Sequence, residues 1–160
     1  MALTKIRPAA ISAGGIIQVQ STTTNTAISN TSSASSLDLM SVNITPTFSN
    51  SKILVMISAM FGAFNPNGGL QLLRDSTSLA EAASTYGGGS GFMSFDDFGA
   101  ADTEYRLGEV SFHHLDTPST TSQITYKLKG ASNDAMYFNI TSNGSSGYGS
   151  SSITAMEVRV

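Results

Sequence analysis

Two adjacent histidines, His113 and His114, are the side chains of this 160-residue chain best suited to metal or proton chemistry. They lie in Glu104 to Leu115, an alternating stretch that predicts a strand. Neighbours on a strand point to opposite faces, so the pair is not expected to chelate one ion; ordinary polar strand positions are the expected role. Asp96, Asp97, Asp102 and Glu104 gather carboxylates near glycines, but their spacing matches no calcium-loop signature and predicts a solvated loop. Gly87-Gly-Gly-Ser-Gly91 lacks the Lys-Ser/Thr that follows in a phosphate loop. Gly89-Ser-Gly and Gly144-Ser-Ser-Gly read as loop glycines rather than nucleophile elbows. No motif places a carboxylate pair for glycoside chemistry. The chain is therefore expected to be non-enzymatic, with no catalytic residue, no metal and no cofactor.

Aromatic side chains in glycine-rich loops offer recognition chemistry instead. Tyr86, Phe92, Phe95 and Phe98 fall in one such stretch, and Tyr148 falls in Asn143 to Gly149. A tyrosine between glycines stacks on a sugar or a protein surface, or packs on a neighbouring loop.

The elements that must carry these loops are strands. Only 12% of residues are charged, so hydroxyls, small residues and glycine must cover the surface, a composition that suits strands and turns. The length fits one domain with its own core. A formal net charge of −3 offers no basic field for a phosphate backbone, which argues against nucleic-acid binding. The absence of cysteine excludes disulfides and thiolate metal sites. No apolar run is long enough to insert into a membrane, and Met1 to Pro8 does not read as a signal peptide. Without secretion, the glycosylation patterns at Asn30, Asn43 and Asn139 carry little weight.

Residues 1–13 predict an extended arm, with Leu3, Ile6 and Ile11 apolar, Lys5 and Arg7 basic, and Pro8 breaking any helix. Residues 14–160 then predict a single domain. Strands are expected at Ile16 to Gln20, across a polar edge from Thr22 to Ile28, and at Leu37 to Thr45, with Leu37, Leu39, Ser41 and Asn43 on one face. Lys52 to Phe61 is apolar on both faces, with Leu54, Met56 and Met60 opposite Ile53, Val55, Ile57 and Phe61. A two-layer sandwich buries one face only, so a second subunit is the expected cover for Leu54, Met56 and Met60. Leu70 to Arg74 continues the pattern, and residues 80–103 form a long excursion with a short helix near Leu79 to Ala83. Gln123 to Lys129 alternates cleanly, and Met136, Phe138 and Ile140 point inward on the next strand. Ser151 to Val160 is a terminal strand built into a sheet, with Thr154, Met156, Val158 and Val160 on one face. The expected class is an all-β antiparallel β-sandwich, a jelly roll.

The order of segments resembles a known family. Gly15-Ile-Ile-Gln-Val-Gln20, Val42-Asn-Ile-Thr-Pro46, Ser51-Lys-Ile-Leu-Val55, Leu72-Leu-Arg-Asp-Ser-Thr77, Ser111-Phe-His-His-Leu-Asp-Thr-Pro118, Thr125-Tyr-Lys-Leu128 and Ser151-Ser-Ile-Thr-Ala-Met-Glu157 together look like a domain of virion proteins from tailed bacteriophages, especially aquatic ones. The resemblance spans nearly everything after Gly14. It implies a compact homotrimer, similar to complement-type and tumour-necrosis-factor-type heads, made in the host bacterial cytoplasm and displayed on the virion surface. A short arm without a heptad shaft shifts the expectation from tail fibres to the capsid. The expected role is capsid decoration or cement, with the major capsid protein or a tail protein as partner. A tail-fibre head binding a host surface glycan is the alternative, and a lectin module or weak hydrolase the alternative of a different class. Leu54, Met56, Met60, Val158 and Val160 are the expected trimer contacts. Leu3, Lys5, Ile6, Arg7, Pro8 and Ile11 are the expected anchor to the particle.

Overall fold

The computed structural model describes residues 14–30, 34–63, 68–80, 93–95, 107–132, 135–141 and 149–160. Their strands are β1 (Ile16–Thr24), β2 (Ile28–Asn30), β3 (Ala34–Ile44), β4 (Lys52–Ala63), β5 (Gly68–Arg74), β6 (Thr77–Ala80), β7 (Met93–Phe95), β8 (Gly108–Asp116), β9 (Ile124–Ser132), β10 (Met136–Phe138) and β11 (Ser151–Val158). All pair antiparallel in two sheets, and no helix occurs among the described residues. The first sheet runs β1-β11-β4-β8; β10 follows β11 along one edge of β4 and carries β2 outside it. The second runs β3-β9-β5-β6, with β7 beside the start of β5. The pairs β1 with β11, β3 with β9, β4 with β8 and β5 with β6 nest one inside another. That winding is jelly-roll-like and leaves two sheets face to face.

The alternation read from the sequence explains the core. Ile53, Val55, Ile57, Ala59 and Phe61 of β4 are buried beside Ile153 and Ala155 of β11. They belong to one cluster with Val42 and Ile44 of β3, Leu70 and Leu72 of β5, and Tyr126 and Leu128 of β9. Gly130 of β9 lies where this packing is tightest: a Cβ there would come within 3.0 Å of Leu39 and 3.2 Å of Met136 and Phe61.

Three expectations are corrected. On β3 the register shifts between Asp38 and Met40, so Leu39 and Met40 are both buried while Asp38, Ser41 and Asn43 face out. This bulge breaks the strict period of two on which the expected faces depended. Leu79 and Ala80 belong to a strand, not a helix, because Thr77 to Ala80 hydrogen-bonds to β5 after a tight turn; residues 81–83 lie outside the described residues. The strand expected to reach Ile140 stops at Phe138, because Asn139 adopts a left-handed conformation with φ 57°. Within one chain the inner face of β4 is sealed, and Met56 on the outer face keeps 46% of its surface exposed.

Three polar side chains tie the apolar layers together. Glu157, with no exposed surface, accepts hydrogen bonds from the backbone of Thr47 (2.8 Å) and Phe48 (3.1 Å), from the Thr47 hydroxyl (3.0 Å) and from Gln18 Nε2 (3.3 Å). Asp116 of β8 accepts from Arg74 Nη1 at 2.9 Å, from Tyr126 Oη at 2.7 Å and from the Thr117 backbone at 2.8 Å, linking the two sheets at the end where β8 stops. Burial, and then that bond to Asp116, push the Tyr126 hydroxyl far above the ordinary tyrosine range. Asn139 donates to the carbonyls of Thr24 (3.1 Å) and Thr26 (3.3 Å) and accepts from Ser151 Oγ at 2.6 Å. Fully buried and so engaged, Asn139 is no acceptor for a glycan.

Burial by itself would raise the pKa of Glu157, but the hydrogen bonds from Thr47 and Phe48, with the nearby Ser51 hydroxyl, outweigh it and hold the carboxyl below its ordinary 4.5. A lowered carboxylate pKa stabilises the fold above the unfolded value, and the benefit is lost as pH falls through the folded one. Urea midpoints of the native chain should therefore fall below about pH 4.5. Glu157→Gln should lower stability at pH 7 by about 1–3 kcal/mol, since it loses the charge and leaves a donor facing donors. It should also flatten the acid dependence.

Candidate assembly interface

The outer face of the β1-β11-β4-β8 sheet divides into two halves. One row crosses all four strands through Val19, Met156, Leu54 and Leu115, each directly opposite the next. Val19 is 52% and Leu115 50% exposed. The next row is Ser21, Thr154, Met56 and His113. The row beyond is entirely hydroxyl: Thr23, Ser152, Ser58 and Ser111. The apolar half thus adjoins the end of the sandwich that holds Gly14 and Val160, which we term the base, and the hydroxyl half lies above it.

A local irregularity builds the apolar half. The register of β1 shifts between Ile16, opposite Val158, and Gln18, opposite Glu157. The extra residue, Ile17, lets Ile16 and Val19 both join the outer face, where strict alternation would send one inward. Gln18 turns in and donates to Glu157. Chain entry is fixed by Gly14, whose N–H donates to the Arg159 carbonyl at 2.6 Å, with φ 76° open to glycine at no steric cost.

Charge is sparse on this face. Lys52 lies at its base, opposite Val158, and Glu109 at its upper margin, accepting from Ser58 Oγ at 3.0 Å. The outer face of the other sheet is different in kind. Lys127 and Lys129 of β9 flank Asp38 of β3 at 3.0 and 3.3 Å, and the Lys127 bond first, with that to Lys129, lowers the pKa of the Asp38 carboxyl against the effect of burial. The Thr125 hydroxyl donates to Asn43 at 2.7 Å on the same face. One face is solvated and ionic; its counterpart is half apolar.

The residues expected at subunit contacts fall on or beside the apolar face, with differing surroundings. Leu54 and Val158 are half-buried, Met56 is exposed, and Val160 lies just past β11, 50% exposed. Met60 has a neighbour of its own: a Cβ on Gly149 would stand 2.6 Å from Met60 Cβ and Cγ and 3.2 Å from Leu107. His113 points out beside Met56, whereas His114 points in beside Val55. Ile16, Val19, Leu115 and Met156 were not singled out from the sequence. Leu115 continues the alternation of Ser111 and His113, a legible signal; Val19 depends on the bulge, which leaves none. Phe95 closes the short strand β7, while Tyr86, Phe92, Phe98, Tyr148, the acidic stretch from Asp96 to Glu104 and the whole of residues 1–13 lie outside the described residues.

No family model matches the chain, and no curated protein matches it by sequence. Solved structures do. The chain is similar to the protein of the T=1 particles derived from infectious bursal virus, at 13% identity and a TM-score of 0.46, over 89% of this chain and 36% of that one. The VP2 subviral particle of infectious bursal disease virus gives 13% identity, a TM-score of 0.45 and coverage of 89% and 37%. The structure of the Gx strain of that virus gives 12%, 0.45 and coverage of 100% and 43%. The chain therefore spans less than half the length of each.

The closeness of Gly149 to Met60 carries its own expectation. Gly149→Ala should destabilise the fold by about 1–3 kcal/mol, because the clash falls on Met60 Cβ, which cannot swing aside. A melting temperature equal to that of the native chain would show that the approach is looser than described.

Proposed function

We propose that this chain is a non-enzymatic structural protein of a tailed-bacteriophage virion, a homotrimer displayed on the particle surface and held there by residues 1–13, decorating or cementing the capsid. The observation that carries the reading is the polarity of the sandwich. The chain enters at Gly14, at the base, beside Arg159. The strand ends that flank residues 81–106, Ala80 and Gly108, lie toward the opposite end, as does Met60, beside which the chain re-enters at Gly149. Residues 1–13 joining the sandwich at one end, and residues 81–106 joining strand ends toward the other, suit a module attached by its base and displayed by its tip. The ordered motifs of the bacteriophage virion domain supply the setting. Leu3, Lys5, Ile6, Arg7, Pro8 and Ile11 are the proposed anchor, and Leu54, Met56, Met60, Val158 and Val160 the proposed contacts of the trimer.

The same polarity favours a second reading, a tail-fibre head whose tip binds a host receptor or glycan through Tyr86, Phe92, Phe95, Phe98 and Tyr148. Electron cryomicroscopy of the source phage separates the two: trimers spread over the head lattice support decoration, and trimers confined to the tail support adsorption. Deleting residues 2–13 should abolish binding to particles that lack the protein while leaving its oligomeric mass unchanged. Retained binding would remove the arm from the mechanism.

A further inference from the structure

We propose that copies of this chain meet through the lower half of the outer β1-β11-β4-β8 face alone, on the band Ile16, Val19, Met156, Leu54, Leu115 and Met56, and that the hydroxyl half above it remains in water. The inference rests on the self-association proposed above and revises its surface, keeping Leu54 and Met56 but leaving out Met60, Val158 and Val160.

Charge selects the occupant. Around a three-fold axis the same residues of each copy come together at the axis, so like groups converge there. No residue of the band is charged; Lys52 stands at its lower margin, in line with Ile16 and Val158, and Glu109 lies two rows above Met56. A second copy can therefore approach it without repulsion. The outer face of the other sheet, with Lys127 and Lys129, would bring ammonium groups together. An ionic or nucleic-acid partner finds no complementary charge on the band.

Exposure selects the extent. Ile16, Val19, Met56 and Leu115 are each between 46% and 53% exposed, on three of the four strands of one sheet. Four strands at about 4.8 Å spacing make a strip roughly 14 Å wide, enough for a continuous contact. The two methionines adapt to an imperfectly matched copy. Level with Met56, Ser21 shares a hydrogen bond with Thr154 at 2.8 Å, and above the band Ser58 donates to Glu109. Thr23 and Ser111 are exposed, and burying their hydroxyls without partners is unfavourable. At the top, Gly149 packs closely against Met60 from within the chain and covers part of it.

Sedimentation equilibrium of the full chain over a wide concentration range tests this, with Leu115→Glu, Val19→Lys and Ser111→Glu compared with the native protein. Ser111 lies on the same strand and face as Leu115, four residues away. The native chain should sediment at a whole multiple of its own mass. Leu115→Glu and Val19→Lys should each weaken association by about tenfold or more, and Ser111→Glu should leave it within about twofold. Urea midpoints establish folding, and Val19→Lys on a different strand carries the test if Leu115→Glu fails to fold. A native chain that is monomeric throughout overturns the inference, as does a Ser111→Glu protein that dissociates as far as Leu115→Glu. A monomer found on particles overturns this inference and leaves the virion reading standing. An oligomer that depends on Leu115 yet is absent from particles supports the inference and removes the virion reading.

Discussion

The sandwich depends on a carboxylate with no exposed surface. Glu157 lies near the end of β11, the strand held between β1 and β4, and its oxygens gather donors from Gln18 on β1 and from Thr47 and Phe48 between β3 and β4. An isolated buried carboxylate is costly, so each of these donors is fixed as firmly as the charge they serve. Arg159, two residues on, places its guanidinium 4.5 Å from the centre of the Phe48 ring and holds the same loop from the other side. The base of the sandwich is thereby closed by polar bonds rather than by side-chain volume. An apolar pair of similar size would fill the space, but it would not set the direction in which β1 and the β3–β4 connection enter.

That orientation bears on the outer face. Gln18 turns inward to reach Glu157, and the register shift beside it leaves Ile16 and Val19 together outside. The bulge therefore couples an interior hydrogen bond to an exterior apolar strip. Asp116 plays the matching part on the far strand: its bonds to Arg74 and Tyr126 fix the end of β8, and Leu115 beside it is directed outward opposite Leu54. Both ends of the apolar row are thus positioned by buried, hydrogen-bonded carboxyl groups.

Much of this was legible in the residues. Period-two alternation located β4, β9 and β11 and gave their inward faces, because buried Ile, Val, Leu and Tyr side chains alternate there without interruption. The doubly apolar character of Lys52 to Phe61 pointed to an outer face needing explanation. What the sequence concealed were the departures from periodicity. The bulges at Leu39 on β3 and at Ile17 on β1 switch the faces of the residues along those strands, the left-handed turn at Asn139 ends β10, and none of the three positions is a glycine or proline. Cross-strand neighbours were equally hidden, since Val19 meets Met156 and Leu54 meets Leu115 only once the register is known.

Asn139 illustrates why the outer face is divided. Its side chain binds the carbonyls of Thr24 and Thr26 and the Ser151 hydroxyl, and that hydroxyl accepts in turn from the Met60 backbone at 2.9 Å. These bonds gather β1, β4, β10 and β11 above the hydroxyl row and bring Gly149 against Met60. The upper part of the sheet is thus consolidated by its own chain, while at the base Glu157 holds the strands from inside and leaves the outer residues uncovered. A fold secured from within at its base keeps apolar side chains available on the outside at that end, next to the point where the chain enters.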